Sequence, residues 1–445
     1  MMIKIISSIL ISLLCVSTYA QVKLSAKDAV FIALENNYKI QIAEKQVEIA
    51  EKNNKWSEAG LFPTVTLSVA NNNAIQDNTN NPFTFTPFIL LNQSFSPTLS
   101  ANWNIFSGFA VKISKERLEQ LEEQTKGNAL VIIESTIQDV LKAYYSAVLQ
   151  KERLGLYDVL KNYSRQRVNY YELKDKYAKT TSLELMQFRN QYLTDSTNYL
   201  LQEISYKNAL RNLQLLMNPT EEASDGSFPE LTDDLKFEAP LIDQTQALSD
   251  LTANNQNLKN QFIALELQKS ATEYQRSFLY PTLSLSAGVA PSYSWIRKTS
   301  AMDTVINTQV LNYYGNLSLR YSIFNNWKTK RAIEVSKIQE EIAQYNAESM
   351  EKTLSSSLLN LLDMYKVRMQ LVGLSETNLI YATKAWDLAQ SKFDNGTLSS
   401  IELAVYQNNY QTTMMQYYEN LYNRIDTYLE VYKMTGKIGL DYVKN

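Results

Sequence analysis

Histidine is missing altogether from the 445 residues, and there is a single cysteine, Cys15. Without imidazole, Ser-His-Asp and Cys-His catalysis, His-ligated metal and imidazole proton transfer are excluded. Glycine is scarce: 11 residues, where an ordinary composition has about 7%. That scarcity argues against a Gly-rich nucleotide fold and against a turn-rich all-β chain, so the bulk should be helical. An excess of either charge is lacking too. Lys plus Arg number 43 against 46 Asp plus Glu, a net −3, which points to no nucleic-acid partner. After the first twenty residues no apolar run approaches the ~18 needed for a membrane helix.

Those first twenty residues read as a secretory signal. Lys4 supplies the positive region, Ile5 to Val16 the apolar one, and Ser17-Thr18-Tyr19-Ala20 a small residue before cleavage after Ala20. Lipid anchoring at Cys15 is not expected, because Leu14 stands where a lipoprotein peptidase wants a small residue. Cleavage would remove the cysteine and one Lys, leaving a net −4 and neither disulfides nor thiolate metal sites. No cluster of nucleophile, base and metal ligands is visible, so no enzyme, cofactor or metal site is expected. An exported chain without spanning helices is either soluble or reaches a membrane by strands.

Sliding the sequence against itself gives matches at an offset of 218. Asn36-Asn37 falls on Asn254-Asn255, Pro63-Thr64 on Pro281-Thr282, Leu99-Ser100 on Leu317-Ser318, and Glu184-Leu185 on Glu402-Leu403. One offset over nearly the whole chain indicates two copies in tandem. The expected organisation is a signal over 1–20, a first repeat over 21–222, an acidic linker over 223–240 and a second repeat over 241–445. The stretch Asn218 to Pro240, with seven acids, one Lys and three Pro, reads as a connection and not as core.

Each copy reads as helix, strand, loop, strand, long helix, turn, helix. Ser25 with Asp28 has the spacing of a capping box, and the first helix should run to about Ala59, ended by Phe62-Pro63. Then the period changes from 3.6 to 2. Val65, Leu67 and Val69 alternate with Thr64, Thr66 and Ser68; Leu283, Leu285 and Ala287 alternate with Thr282, Ser284 and Ser286. The return strands read as Leu99, Ala101, Trp103, Ile105 and Leu317, Leu319, Tyr321, Ile323. Strands of about ten residues with one apolar and one small polar face suit a membrane barrel around a wet interior. A half-buried sheet in a soluble protein shows the same alternation. The hairpin loops, Asn71 to Gln93 and Ser292 to Gln309, read as long.

Four strands cannot close a barrel, so a chain that spans must oligomerise, and three copies would give twelve strands. The long helices, about Gly108 to Asp175 and Trp327 to Lys392, would each reach about 100 Å. Two shorter helices, about 25–59 and 183–217, stacked end to end would match one of them. Of the 29 Tyr, Tyr144, Tyr145, Tyr163, Tyr170, Tyr171, Tyr417, Tyr418 and Tyr422 read as inter-helix packing with a hydroxyl facing water. Two other classes remain open at this level: a secreted helical pore-forming toxin with inserting β-hairpins, and a periplasmic coiled-coil structural protein.

Taken together, these features resemble the TolC family of outer-membrane channel-tunnel proteins. The resemblance is carried by Leu24-Ser25 to Asp28-Ala29-Val30, by Ala33-Leu34-Glu35-Asn36-Asn37, by Pro63 and Pro281 leading from helix into strand, by the duplication, and by Phe393-Asp394-Asn395-Gly396-Thr397 with Glu402. It implies a mainly α fold with a β-barrel portion: a homotrimer with a twelve-stranded barrel in outer-membrane lipid and a twelve-helix periplasmic tunnel. It also implies a passive exit duct for drug efflux or type I secretion, docking onto a periplasmic adaptor (membrane fusion) protein and an inner-membrane transporter of the resistance-nodulation-division or ABC type.

The turns Asp175 to Ser182 and Phe393 to Ser400 would form the docking tip, with Lys392, Asp394, Asn395 and Gly396 in the second. Glu402, six residues after Gly396, and Glu184 in the first copy match the family's constricting acidic ring, where like-charge repulsion would raise some carboxyl pKa values. Ala178 stands where the first copy would carry the turn Gly. Phe393 and Leu398 replace the Tyr and Arg of the best-known closed-state lock, so another network, with Lys392 and Asp394 as candidates, has to serve.

Overall fold

The computed structural model describes residues 23–83, 87–177, 180–219, 228–236, 240–299 and 304–439. Cys15, Ala20 and Ala178, and the expectations that rest on them, lie outside the described residues. The chain runs as β1 (Lys23–Leu24), α1 (Ala26–Asn36), α2 (Tyr38–Asn53), β2 (Thr64–Asp77), β3 (Ile89–Ser107), α3 (Ala110–Lys176) and α4 (Ser182–Met217). It continues as β4 (Glu230–Leu231), α5 (Gln244–Asn254), α6 (Gln256–Ser277), β5 (Thr282–Thr299), β6 (Thr304–Arg320), α7 (Lys328–Asp394) and α8 (Ser400–Met434). The starts of α1, α2, β2, α3 and α4 recur 218 residues later in α5, α6, β5, α7 and α8, and α3 and α7 both have 67 residues. None of the described helices is long and apolar enough to cross a membrane.

Two compact units cut across the sequence halves. The helical unit takes residues up to Glu44, Asn128–Leu258 and the chain from Glu351; the strand unit takes Lys45–Gly127 and Lys259–Met350.

In the helical unit, α1 begins with the expected capping box, the Asp28 amide donating to Ser25 Oγ at 3.1 Å and the Ser25 amide to Asp28 Oδ2 at 3.3 Å. The predicted first helix breaks at Asn37, whose backbone is extended, and α2 stops at Asn53, short of Ala59. The break is held from outside. Asn37 Nδ2 donates to the Leu216 carbonyl at 2.7 Å, while its Oδ1 accepts the Lys39 amide at 2.9 Å. Asn255 repeats this in the second half, donating to the Met434 carbonyl at 2.9 Å and accepting the Leu258 amide at 3.0 Å. The matched Asn-Asn pairs of the sequence are thus the places where a helix breaks and its freed backbone groups find partners.

The core of this unit gathers Val30, Ile137, Val140, Tyr144, Leu213, Leu231, Leu235, Leu421 and Ile425. Leu231 and Leu235 correct the reading of Asn218 to Pro240 as connection only, since both are buried there. They are drawn in because β4 pairs in parallel with β1 and Lys151 Nζ bonds the Leu231 carbonyl at 2.9 Å. Tyr144 differs from the expectation as well. Its hydroxyl donates to the Leu24 carbonyl at 2.8 Å and accepts the Asp233 amide at 3.2 Å instead of facing water, and burial pushes its pKa up to about 12.

In the strand unit, one antiparallel sheet has the order β2-β3-β5-β6, leaving β2 and β6 as edges. The strands are 14, 19, 18 and 17 residues long, well beyond the expected ten. They extend into segments read as loop: Asn71 pairs with Phe95 and Ser292 with Val310, because the ladder satisfies backbone groups whatever side chains they carry. Cross-strand partners share a face. The rows Leu67–Leu99–Val289–Tyr313 and Trp103–Leu285–Leu317 therefore lie on one side, and Ser100–Gly288–Tyr314 and Asn102–Ser286–Asn316 on the other. Ile105 falls in a bulge between Asn104 and Phe106, and β6 ends before Tyr321 and Ile323, so these three leave the predicted alternation. A bulge inserts one residue and bends the strand, which re-aims the side chains next to it. Pro63 and Pro281 directly precede β2 and β5, where a missing amide costs no ladder bond.

Candidate functional site: the helical hairpin turns

The helical unit ends its long helices in two turns. After α7, Gly396 adopts φ +74°, its amide donating to the Phe393 carbonyl at 2.9 Å and the Thr397 amide to the Lys392 carbonyl at 2.9 Å. This pair of bonds is a Schellman cap, which needs a left-handed residue and so favours Gly. Lys392 thus contributes its carbonyl to the turn. α8 then starts from Ser399, and α4 from Thr181.

Both helices open with a capping box whose acid is one of the two predicted ring residues. The Ser399 amide and hydroxyl donate to Glu402 Oε2 at 2.9 and 2.8 Å, and the Glu402 amide donates back to Ser399 Oγ at 3.2 Å. Glu184 does the same with Thr181, at 3.2 Å from the amide, and also accepts the Thr180 hydroxyl at 3.0 Å. The backbone amides of Ser399 and Thr181, and after them the neighbouring hydroxyls, hold both carboxyls below their ordinary pKa. Within one protomer each acid therefore satisfies a helix end. Thr181 and Ser399 carry one signal in the sequence, the spacing of Ser or Thr three residues before Glu.

The turns are packed against one another. Tyr171 of α3, Phe188 of α4 and Phe393 of α7 form a cluster with Val168, Leu185 and Leu403, against which Leu398 also packs. The ring centroids of Tyr171 and Phe188 are 4.4 Å apart, and those of Phe188 and Phe393 5.8 Å. Arg167 closes the cluster. Its guanidinium lies 4.6 Å from the Phe393 ring centroid, donates to the Tyr163 hydroxyl at 2.6 Å and pairs with Asp394 at 2.9 Å. Asp394 was a candidate; Arg167, buried here, carried no sequence signal beyond its place among tyrosines inside a long helix. Ser400 Oγ donates to Gln187 Oε1 at 2.7 Å, linking α8 to α4. Asp175, Asn395 and Ser182 lie exposed at the same end.

Just beyond the turns, Asp195 is buried. It accepts Gln191 Nε2 at 2.8 Å and Gln407 Nε2 at 3.4 Å, has no ion-pair partner among the described residues, and burial raises its pKa. Arg167, Gln187, Gln191, Ser400 and Gln407 line a cavity next to it. Amides, hydroxyls and aromatic rings dominate this end of the unit, which suits helix packing and protein contact more than bond-making chemistry.

Comparison with known proteins gives the same picture. The outer membrane efflux protein family matches residues 30–219 and again 247–437. Among solved structures, the CusC channel superposes with a TM-score of 0.72 at 16% identity, over 92% of each chain. The CmeC outer membrane channel of Campylobacter jejuni gives 0.72 at 16%, over 93% of this chain and 85% of that one. The open-state MtrE outer membrane channel of Neisseria gonorrhoeae gives 0.70 at 17%, over 92% and 88%. No curated protein sequence matches. Nothing found supports the toxin or the structural rod. Matched by the family over both halves and by its channel fold over more than nine-tenths of its length, the chain belongs to the outer membrane efflux protein family.

Proposed function

We propose that the protein is the outer-membrane exit duct of an export machine and acts as a homotrimer. The sheet carries this reading. β2 and β6 run antiparallel with open edges, so β6 of one copy can pair with β2 of the next without changing the alternation, and three copies close twelve strands. The apolar face is exposed on the protomer: Val65 68%, Leu67 68%, Leu317 66% and Leu319 71%. Lipid is the solvent that such a face fits. On β5 the apolar positions run from Leu283 to Trp295, long enough for the roughly 9 to 11 residues a tilted strand needs to span a membrane.

The helical unit contributes the seam between copies. Met186, Leu193 and Leu200 on α4, and Val367, Leu374, Tyr381 and Leu388 on α7, are exposed at seven-residue spacing, the pattern that pairs helices side by side. The hairpin turns dock a periplasmic adaptor, which couples the duct to an inner-membrane transporter of the resistance-nodulation-division or ABC type. Three copies of Glu402 and of Glu184 narrow the tip and favour cations, and the Arg167–Asp394 contact holds the second hairpin against α3 until docking releases it. Transport is gated diffusion, driven by the inner-membrane partner.

The protein should fractionate with outer membranes, have the mass of three protomers in detergent by light scattering, and conduct in planar bilayers. Glu402→Gln should weaken its cation preference. A water-soluble monomer that never conducts would overturn the reading; an unchanged preference in Glu402→Gln would remove only the ring.

A further inference from the structure

The polar face of the sheet has an uneven distribution of charge. Read along the register, it presents Thr64, Thr66 and Ser68 on β2, Asn102, Ser100 and Thr98 on β3, Ser284, Ser286 and Ser292 on β5, and Ser318, Asn316 and Asn312 on β6. Among the described residues of this face only two carry charge, and both are cations. Arg320 is the last residue of β6, opposite Thr282, and Lys298 lies at the other end of β5, opposite Thr304. No register shift separates them on the β5–β6 ladder, so they share the face.

Their surroundings differ. Lys298 Nζ sits 4.5 Å from the Phe88 ring centroid. Arg320 lines a cavity with Lys328, the first residue of α7, together with Gln275, Thr282, Ser322 and Asn325, and no carboxylate is among its lining residues. Neither Arg320 nor Lys328 has an ion-pair partner among the described residues. The cavity thus joins two unneutralised cations with hydroxyl and amide groups, a donor set complementary to carboxylate or phosphate oxygens. The first turn of α7 adds Lys330 and Arg331 and contains no acid, although a helix N-terminus disfavours cations. Positive charge is concentrated at this end of the sheet against its local electrostatic cost.

We propose that Arg320, supported by Lys328, is a selectivity determinant of the strand-lined passage and favours anionic solutes there. The inference rests on the trimeric-duct reading, in which the apolar face meets lipid and the polar face therefore lines the passage. Three-fold repetition then sets three Arg320 around one opening of an otherwise neutral hydroxyl-lined passage. Fixed charge in a confined space enriches counter-ions and excludes co-ions. The filter has the sign opposite to the tip acids.

The test is the reversal potential of the purified trimer in planar bilayers under a KCl gradient, for the unaltered protein and for Arg320→Gln, Arg320→Lys and Lys328→Gln. Whatever sign the unaltered duct shows, Arg320→Gln should move the reversal potential toward the potassium value, Lys328→Gln should move it less, and Arg320→Lys should restore it. The shift should be larger at about 0.1 M than at about 1 M salt, where screening shortens from roughly 10 to 3 Å. Tripolyphosphate should bind the unaltered trimer in calorimetry and bind more weakly to Arg320→Gln, a readout that does not depend on whether the tip is open. Conduction with the same reversal potential in all four proteins, and equal tripolyphosphate binding, would overturn the inference while leaving the duct intact. Loss of tripolyphosphate binding with no change in reversal potential would place the site on a lipid headgroup and overturn the passage role. Failure of the unaltered protein to form a trimer would instead count against the duct reading.

Discussion

The two compact units treat apolar residues in opposite ways. In the helical unit large side chains such as Tyr144, Leu160, Leu213, Leu251 and Leu358 are fully buried, whereas among the described residues of the strand unit the buried hydrophobic ones are Ala59 and Ala347. Val65, Leu67, Leu317 and Leu319 lie in the open. Both units draw on both copies of the duplicated sequence. The difference teaches that one unit contains its own solvent-excluding core and the other is finished by what surrounds it, lipid on one face and water on the other.

Truncations of equal size separate the two most strongly. Leu213→Ala, in the helical core, should cost about 2–5 kcal/mol by denaturant unfolding followed through helical circular dichroism. Leu67→Ala should leave that transition in place; an equal loss at both positions would break the contrast. Within the sheet, Leu317→Arg should destabilise the membrane-inserted form by about 2–4 kcal/mol, read from refolding into liposomes. Its sequence neighbour Ser318→Arg, on the polar face, should not, and equal penalties would mean that the sheet does not have one lipid face.

A smaller effect is expected where the helical unit depends on single side chains. Asn37→Ala and Asn255→Ala each strip a half-buried carbonyl of its partner, at a cost of about 1 kcal/mol apiece, with similar values at the two positions if they do the same work. The smallest effect concerns the turns. The Glu402 carboxyl is held below its ordinary pKa by the Ser399 amide and hydroxyl, so its contribution is complete above the ordinary carboxyl value and disappears as pH falls through the lowered one. Protection factors at the first amides of α8, which correct for the intrinsic fall of exchange rate with pH, should drop on acidification in the unaltered protein. In Glu402→Gln they should stay flat across that range.

Much of this was legible in advance, for identifiable reasons. The change from a 3.6 to a 2 period at Thr64 is a local property of side-chain order, and α3 and α7 lie within two residues of where an uninterrupted pattern put them. Strand ends were not legible, because Asn71 to Asn73 are polar residues that a ladder accepts when a neighbouring strand is present. The Asn37 break was invisible for the same reason, since its cause is the Leu216 carbonyl 179 residues away. At the turns, Gly396 and both Glu residues stood out only through the family resemblance. Arg167 did not, because a charge inside a long helix looks solvent-facing until Phe393 and Asp394 are folded onto it.

Residue order alone settles the absence of imidazole chemistry, the repeat at 218, the length of the helices and the two-faced character of the strands, since each depends on composition or on near neighbours. Tertiary structure settles which compact unit each stretch joins and where helices break. It also draws Leu231 and Leu235 of the acidic segment into a core, and sets Arg320 and Lys298 at opposite ends of one polar face. Those outcomes depend on strand register and on contacts between residues far apart in the chain, which no local pattern encodes.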